Sequence, residues 1–406
     1  MKDQLLNIRG NILLVGMLLL LVGLLLSKVL ISIGVILLGI LSLVLIDFET
    51  IKESWIKKSY VLFLPLVFIL FFVSGIWSSD TGSWWKAVQM KLPFLFLPLT
   101  YLQLKGLNRG KVSLVIEKSF TGVTVLFLLV SLYSIWPTIK DIGSLKEMYS
   151  KGQVLHLPIN HIRFSLFAAV LVLFNAYYLM KGQLWRWIPL IFLIAVLHWI
   201  AVRSGLIALY VGSSVTFLSY VIKKRKYFVG VTAFLLAGIF VWAAVNYVPT
   251  LERKIAYTKY DIEQYLSNSK DVANYSDARR LMSFKVGASL LSENLAIGVG
   301  IGDIKQEVKD RYDLLYKAIP SEKRLLPHNQ YLRYFVAFGL FLGSIFLVLF
   351  HLPFFSSNIH SIWFQISSIF AISFLMEGTL DTQIGTTLFL VFTLLSYWLY
   401  NNEQVS

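Results

Sequence analysis

Apolar runs of about twenty residues, the length that a helix needs to cross a lipid bilayer, recur along the whole chain. Of its 406 residues, 57% are hydrophobic and only 15% are charged, and a soluble fold of this size cannot bury so much apolar surface. We therefore predict an all-α, polytopic transmembrane helical bundle of about 12 spans. The candidate spans lie near residues 10–27, 29–47, 59–77, 89–104, 113–135, 161–180, 186–202, 204–222, 227–247, 329–352, 360–377 and 383–400.

Lysine and arginine are concentrated in alternate short loops between these runs. If the N-terminus is cytoplasmic, the inside loops carry basic groups such as Lys57 with Lys58, Lys105 with Lys111, and the run 223–226. The intervening loops hold fewer basic residues, which is the positive-inside pattern of membrane proteins. We therefore predict that both termini are cytoplasmic. The net charge of +15 is attributed to orientation in the bilayer and not to nucleic-acid binding.

Residues 247–327 form the long polar segment of the chain, and the predicted orientation puts them outside the cytoplasm. They contain a helical stripe of apolar residues at Leu281, Phe284, Ala288 and Leu291. We therefore expect one helical extracytoplasmic loop subdomain between spans 9 and 10. The predicted organisation is N-terminal spans in residues 1–160 with an external loop at 137–160, central spans in 161–246, the loop subdomain in 247–327 and C-terminal spans in 328–406.

Several kinds of chemistry are excluded by residue content and spacing. The chain has no cysteine, so it has no disulfide, no thiolate metal ligand and no cysteine nucleophile. Metal ligands at recognisable spacing are absent from the sequence, and we predict no metal and no other cofactor. The glycine-rich run 298–302 lacks the strand and the spacing of a dinucleotide-binding fingerprint, so it is interpreted as a turn after a helix.

His328 lies where the polar segment meets the tenth apolar run. Pro327 disfavours helical geometry at the residue before it, and Asn329 is a favourable N-cap for the helix that follows. His328 is therefore expected at a helix N-terminus on the water side of the membrane. The positive end of the helix dipole disfavours imidazolium, which favours a neutral ring that can accept a proton. The alternative is that His328 is a polar residue of the interface without a chemical role.

Ionisable residues near the membrane collect on the predicted outer face. They are Arg163, Arg203, His328, Glu377 and Asp381. Charged groups at membrane depth are costly and are candidates for function. Arginine binds phosphate oxygens through several donors, and a neutral histidine can act as a general base. Alternatively, each arginine extends to the interface to reach water, and the two carboxylates only pair with Arg163 and Arg203.

Several motifs are similar to those of a known family. Residues 327–329, Pro-His-Asn, open an apolar helix that contains a glycine ten residues after the Asn, and this resembles the His-Asn motif of the O-antigen ligase and polymerase superfamily of bacterial envelope enzymes. Residues 276–285 and 294–302 are similar to the external loop of that family. Residues 203–206 resemble the start of its central domain, and Arg163 stands where the family carries another external arginine. The resemblance covers roughly residues 163–387.

The resemblance implies a membrane glycosyltransferase at the outer face of the bacterial cytoplasmic (inner) membrane. Its donor would be a glycan on undecaprenyl diphosphate, and its acceptor a sugar hydroxyl such as that of lipid A core. The reaction would be a single inverting displacement without a metal ion or a nucleotide sugar. The site would consist of the base His328, the diphosphate ligands Arg163, Arg203 and Arg280, and the supporting residues Asn329, Glu377 and Asp381.

Other functions stay open at the level of the sequence. A polymerase would use a second lipid-linked repeat unit as acceptor, and a protein O-oligosaccharyltransferase would use a protein hydroxyl. A transporter of lipid-linked glycan would carry ionisable residues through the middle of the membrane, whereas here they gather at one face. A scaffold would leave the arginines of the outer face without an explanation.

Overall fold

A computed structural model describes residues 2–46, 48–57, 59–104, 107–140, 157–200, 202–247, 249–267 and 272–404. Within these residues every regular element is a helix and no strand occurs, which confirms the all-α prediction. The predicted basic residues Lys58 and Lys105 lie outside the described residues. Most of the loop predicted at 137–160 also lies outside them, and its first residues belong to a helix.

The described residues form sixteen α-helices. The first six are α1 (Lys2–Leu26), α2 (Lys28–Val44), α3 (Phe48–Ile56), α4 (Pro65–Val73), α5 (Thr81–Leu104) and α6 (Arg109–Lys140). The next five are α7 (His161–Met180), α8 (Trp187–Ile200), α9 (Arg203–Lys223), α10 (Tyr227–Tyr247) and α11 (Pro249–Leu266). The last five are α12 (Ser276–Glu293), α13 (Ile304–Leu315), α14 (Gln330–Ser356), α15 (Ile362–Met376) and α16 (Gln383–Glu403).

Five of the described helices, α6, α7, α9, α14 and α16, are long and apolar enough to cross a membrane. A sixth span results if α2 and α3, which meet at a bend of 95°, are counted together. The shorter apolar helices of the described residues are Gly10–Leu26, Tyr60–Ile76, Leu184–Ile200, Tyr227–Leu236 and Ile362–Met376. The chain is therefore a multi-pass membrane protein. The number of about 12 spans stays a prediction, as does the position of the segment 247–327 outside the cytoplasm.

The helix that contains the fourth predicted span, 89–104, begins before that span. Helix α5 begins at Thr81 and continues without interruption through Pro93 and Pro98. Polar residues of its first two turns, such as Ser83 and Lys86, lower the mean hydropathy there, so the predicted span begins only at residue 89. The helix still buries Lys91 against other helices.

The core is organised around α16, which packs against α1, α2, α5, α6, α7 and α15. Its residues are apolar on all sides, as expected of a helix with no solvent face, and most of them are buried. Aromatic rings join it to the neighbouring helices. The rings of Phe120 of α6 and Phe174 of α7 stack with their centroids 3.8 Å apart, and the tilted ring of Phe392 of α16 has its centroid 5.6 Å from each. The turn that precedes α16 is thereby fixed at one end of the core.

The apolar stripe predicted in the segment 277–291 is wrong in its register, although the helix itself is present. The apolar residues that helix α12 buries include Ala278, Met282, Val286 and Leu290. None of these is one of the four predicted stripe positions. The observed face also buries Gly287, whose position would bring an added Cβ close to Pro327 and Leu332. Small residues on this face therefore let α12 approach α14.

A kink in α14 receives the glycine-rich run 298–302. Gly339 has φ 70° and interrupts the helical backbone. The carbonyls of Val336 and Ala337, which the kink leaves without helical donors, accept hydrogen bonds of 2.9 Å from the amides of the run. The Leu340 amide donates to a carbonyl just before the run over 2.7 Å. The run, interpreted from sequence only as a turn, therefore fixes the loop against α14.

Replacing Gly339 with alanine tests this contact. An alanine at φ 70° and ψ −176°, a region essentially restricted to glycine, costs about 1–3 kcal/mol, and its Cβ would also collide with the Ala296 backbone. We expect Gly339→Ala to lower the thermal unfolding midpoint of the detergent-solubilised protein, followed by tryptophan fluorescence. Gly122→Ala in α6 is the matched control, because nothing lies within 4 Å of the added Cβ there. Equal midpoints for both variants would contradict the structural role of Gly339.

The predicted orientation can be tested by cysteine labelling, because the chain has no cysteine of its own. Glu322 and Lys224 are both exposed, the first in the segment before α14 and the second after α9. We expect Glu322→Cys to react with a membrane-impermeant maleimide in intact cells. We expect Lys224→Cys to react only after permeabilisation. The reverse result would show that the positive-inside argument gives the wrong orientation.

Candidate functional site

The polar side chains near the predicted outer face converge on the turn between α15 and α16, residues 377–382. The turn includes one 3₁₀ turn, Thr379–Asp381. Helices α7, α14 and α16 all begin beside it, because Arg163 of α7 and Gln330 of α14 bond to the turn and Thr382 caps α16. Helix N-termini carry partial positive charge, so this region favours anions.

His328 lies directly before α14 and contacts the turn. Asn329 is the N-cap, and its Oδ1 accepts the Leu332 amide over 2.9 Å, which confirms the predicted cap. The Nδ1 atom of His328 lies 2.9 Å from Oε2 of Glu377 and 3.4 Å from the Met376 carbonyl. Both groups are acceptors, so Nδ1 carries the proton. In the neutral ring the lone pair then belongs to Nε2, which is the nitrogen that can accept a proton from another molecule.

Glu377 joins His328 to an arginine. Its side chain is 5% exposed, and Oε1 lies 3.1 Å from Nη2 of Arg280. Burial raises the pKa of this carboxyl, but the hydrogen bond from His328 and the charges of His328, Arg280 and Arg163 outweigh burial and hold the pKa below its ordinary value. Glu377 is therefore ionised at neutral pH, where it orients the His328 ring.

Arg163 reaches the same turn from the first helical turn of α7. Asn160 caps this helix by accepting the Ile162 amide over 2.9 Å. The Arg163 guanidinium donates from Nη2 to the Gly378 carbonyl over 2.7 Å, next to Glu377. The residue is 7% exposed, and among the described residues its Nη1 has no hydrogen-bond partner. A buried arginine with an unused donor beside an ionised site is a candidate for binding an anion.

Asp381 is paired with an arginine that the sequence analysis missed. Arg333 of α14 forms an ion pair with Asp381 through Nη1, and Nε2 of Gln330 donates to the other carboxylate oxygen over 3.2 Å. The available signal was an arginine one helical turn after the Asn329 cap, inside a predicted span, where a charge needs a partner. The hypothesis that Glu377 and Asp381 pair with Arg163 and Arg203 is wrong, because their arginine partners are Arg280 and Arg333.

Arg203 lies beside the side chains that surround the turn 377–382, but it does not contact the turn itself. Its Nη1 donates to both carboxylate oxygens of Asp277, over 2.8 and 3.1 Å. Asp277 precedes Arg280 by three residues on α12, so the two side chains lie on one face of that helix. The structure therefore brings His328, Glu377, Arg280 and Arg163 together directly, and connects Arg203 to them through α12.

No group of three or more His, Asp or Glu side chains that could hold a metal ion occurs within the described part of the chain. The charges of the site are instead carried by arginines and carboxylates. The arrangement suits binding of a polyanion next to a histidine whose Nε2 is available to a substrate hydroxyl.

The fold and the site together define a class of protein. It is a helical, multi-pass membrane protein in which arginines surround a histidine–carboxylate pair. Residues 188–347 match the family model described as O-antigen ligase. Over these residues the match confirms the resemblance to the O-antigen ligase superfamily. The matched region includes Arg203, Arg280 and His328, while Arg163, Glu377 and Asp381 lie outside it. A comparison with curated proteins gave no match.

The pH dependence of stability tests the environment of Glu377. A carboxyl whose pKa is lower in the folded than in the unfolded protein stabilises the fold above the unfolded pKa, and this contribution is lost as pH falls through the folded pKa. We expect Glu377→Gln to lower the free energy of unfolding at pH 7 by about 1–3 kcal/mol. The difference from the unchanged protein should narrow below about pH 4. Glu322→Gln, at an exposed position, should change neither quantity.

Proposed function

We propose that this protein transfers a glycan from undecaprenyl diphosphate to an acceptor hydroxyl, such as one of lipid A core, at the outer face of the cytoplasmic membrane. The proposal rests above all on one contact, the 2.9 Å between Nδ1 of His328 and Oε2 of Glu377. Arg280 binds the same carboxylate, and Arg163 binds the adjacent residue of the turn. The match to the O-antigen ligase family supports the reaction class.

In the proposed reaction His328 is the general base. Nε2 takes the proton of the acceptor hydroxyl while the hydroxyl oxygen forms a bond to the anomeric carbon of the donor glycan. The bond between that carbon and the diphosphate oxygen breaks, and its electron pair leaves with the lipid diphosphate. One displacement inverts the anomeric configuration. Glu377 stabilises the imidazolium that forms, because its carboxylate faces Nδ1.

The arginines are proposed to bind the diphosphate and to stabilise its charge as it leaves. Arg163 has a donor without a partner in the described residues, and Arg280 is 31% exposed at its side chain. The N-termini of α7 and α14 add partial positive charge on the same side. Arg203 would bind the substrate by exchanging part of its pairing with Asp277 for a phosphate oxygen. A metal ion has no part in this mechanism, since arginines supply the charge.

Transfer to core and polymerisation differ in the acceptor and not in the chemistry of the site. The proposed ligase uses a core sugar, a polymerase uses a second lipid-linked repeat unit, and a protein O-oligosaccharyltransferase uses a protein hydroxyl. The description of the matched family as O-antigen ligase favours the first of these. A transporter is disfavoured, because the ionisable residues of the site gather around one turn.

The glycans of a deletion strain, complemented with variants, test the function. We expect His328→Ala to reduce glycan attachment by about a hundred-fold or more, because the base is lost. His198→Ala on α8 is the control, since that imidazole bonds to Ile194 and Tyr210 away from the turn. Free lipid-linked polymer should accumulate with His328→Ala.

Two outcomes would contradict the proposal in different ways. Full attachment with His328→Ala, at an unchanged protein level, would exclude the base role. Single repeat units on core, in place of free polymer, would instead identify the protein as a polymerase.

A further inference from the structure

Lys91 of α5 is buried under the turn that carries Glu377. The residue is 1% exposed, and its ammonium group donates a hydrogen bond to the Leu380 carbonyl. The Nζ atom also lies 4.8 Å from the ring centre of Phe71 in α4, within range of a cation–π interaction. A lysine from the first third of the chain therefore contacts the same turn as the arginines of the site.

A charge at this position is not needed to satisfy the turn. The Leu380 carbonyl also accepts a hydrogen bond of 2.9 Å from Oγ1 of Thr386. The Leu380 amide donates to Oε1 of Gln330 over 2.7 Å. Burying an ammonium group is costly, and apolar residues of similar volume often stabilise such positions better. Lys91 therefore calls for an explanation other than the stability of the fold.

The charge of Lys91 acts on Asp381, the residue after Leu380. Lys91 attracts this carboxylate, which also pairs with Arg333. Asp381 therefore feels the charge of Lys91 from α5 in addition to its ion pair with Arg333 of α14. Because Glu377 precedes Leu380 by three residues in the same tight turn, a shift of the Leu380–Asp381 peptide would also move the carboxylate that faces His328.

We propose that Lys91 is a positioning residue that fixes the Glu377 carboxylate against Nδ1 of His328. Lys91 holds the far end of the turn through the Leu380 carbonyl, while Arg163 holds the near end through the Gly378 carbonyl. For catalysis this inference rests on the proposed function. The geometry between Glu377 and His328 can, however, be measured without any transfer reaction.

The experiment compares Lys91→Met with Lys86→Met in the full-length protein. Lys86 is an exposed lysine of the same helix and serves as the matched control. The first readout is acylation of His328 by diethyl pyrocarbonate, which reacts with unprotonated imidazole, followed by mass spectrometry over a range of pH. The second is transfer in the complemented deletion strain, corrected for protein level.

With Lys91→Met we expect the rate of His328 acylation to shift upward several-fold, because a displaced Glu377 carboxylate no longer holds the ring through Nδ1. Transfer should fall on the order of ten- to a hundred-fold, since small misplacements of a catalytic group are costly. Lys86→Met should leave both readouts unchanged. A smaller shift in the same direction is expected for Lys91→Gln, whose amide can still donate to Leu380, and this variant replaces Lys91→Met if the latter does not fold.

Unchanged acylation of His328 and unchanged transfer per molecule in the folded Lys91 variants would overturn the inference. A lower protein level with normal transfer per molecule would also overturn it, because Lys91 would then only stabilise the fold. His328→Ala, measured in parallel, separates the two proposals. If His328→Ala is fully active, the base role fails, whereas the acylation shift still decides whether Lys91 positions Glu377.

Discussion

A polar group removed from water must find a partner within the protein, and the turn 377–382 meets this requirement at almost every atom that faces a helix. Its carbonyls and carboxylates accept hydrogen bonds from Arg163, Gln330, Arg333 and Lys91, which come from three different helices. Each donor is placed by the packing of its own helix against α16 or its neighbours. The alignment of His328 with a carboxylate is therefore a property of the bundle as a whole.

The sequence predicts the parts of this site that depend on neighbouring residues. Asn329 caps α14 as expected from the Pro-His-Asn order, and His328 is therefore at a helix N-terminus. The presence of Arg163 and Glu377 in one region follows from the alternation of spans. Their actual partners do not follow, because pairing depends on helix rotation, which differs by about 100° from one residue to the next. Arg333 and Lys91 were missed for this reason.

Errors in the predicted helices have a related physical cause. The apolar runs and the apolar stripe were predicted from hydropathy and residue spacing. Helix α12 uses small residues such as Ala278 and Gly287 to come close to its neighbours, and α5 buries Lys91 in its middle. Close packing of small residues and burial of a charged residue both depart from the simple apolar pattern. Such departures occur here next to the candidate site, where α12 supplies Arg280 and α5 supplies Lys91.

The kink at Gly339 links two parts of the chain that would otherwise be separate in folding. The amides of Val299 and Gly300 bond to α14, and an amide of α14 bonds back to the loop. Breaking these bonds exposes carbonyls on both sides, so loop and helix are expected to open together as one cooperative unit. In hydrogen exchange, these loop amides would then be protected as strongly as the helix itself, although the loop has no regular secondary structure.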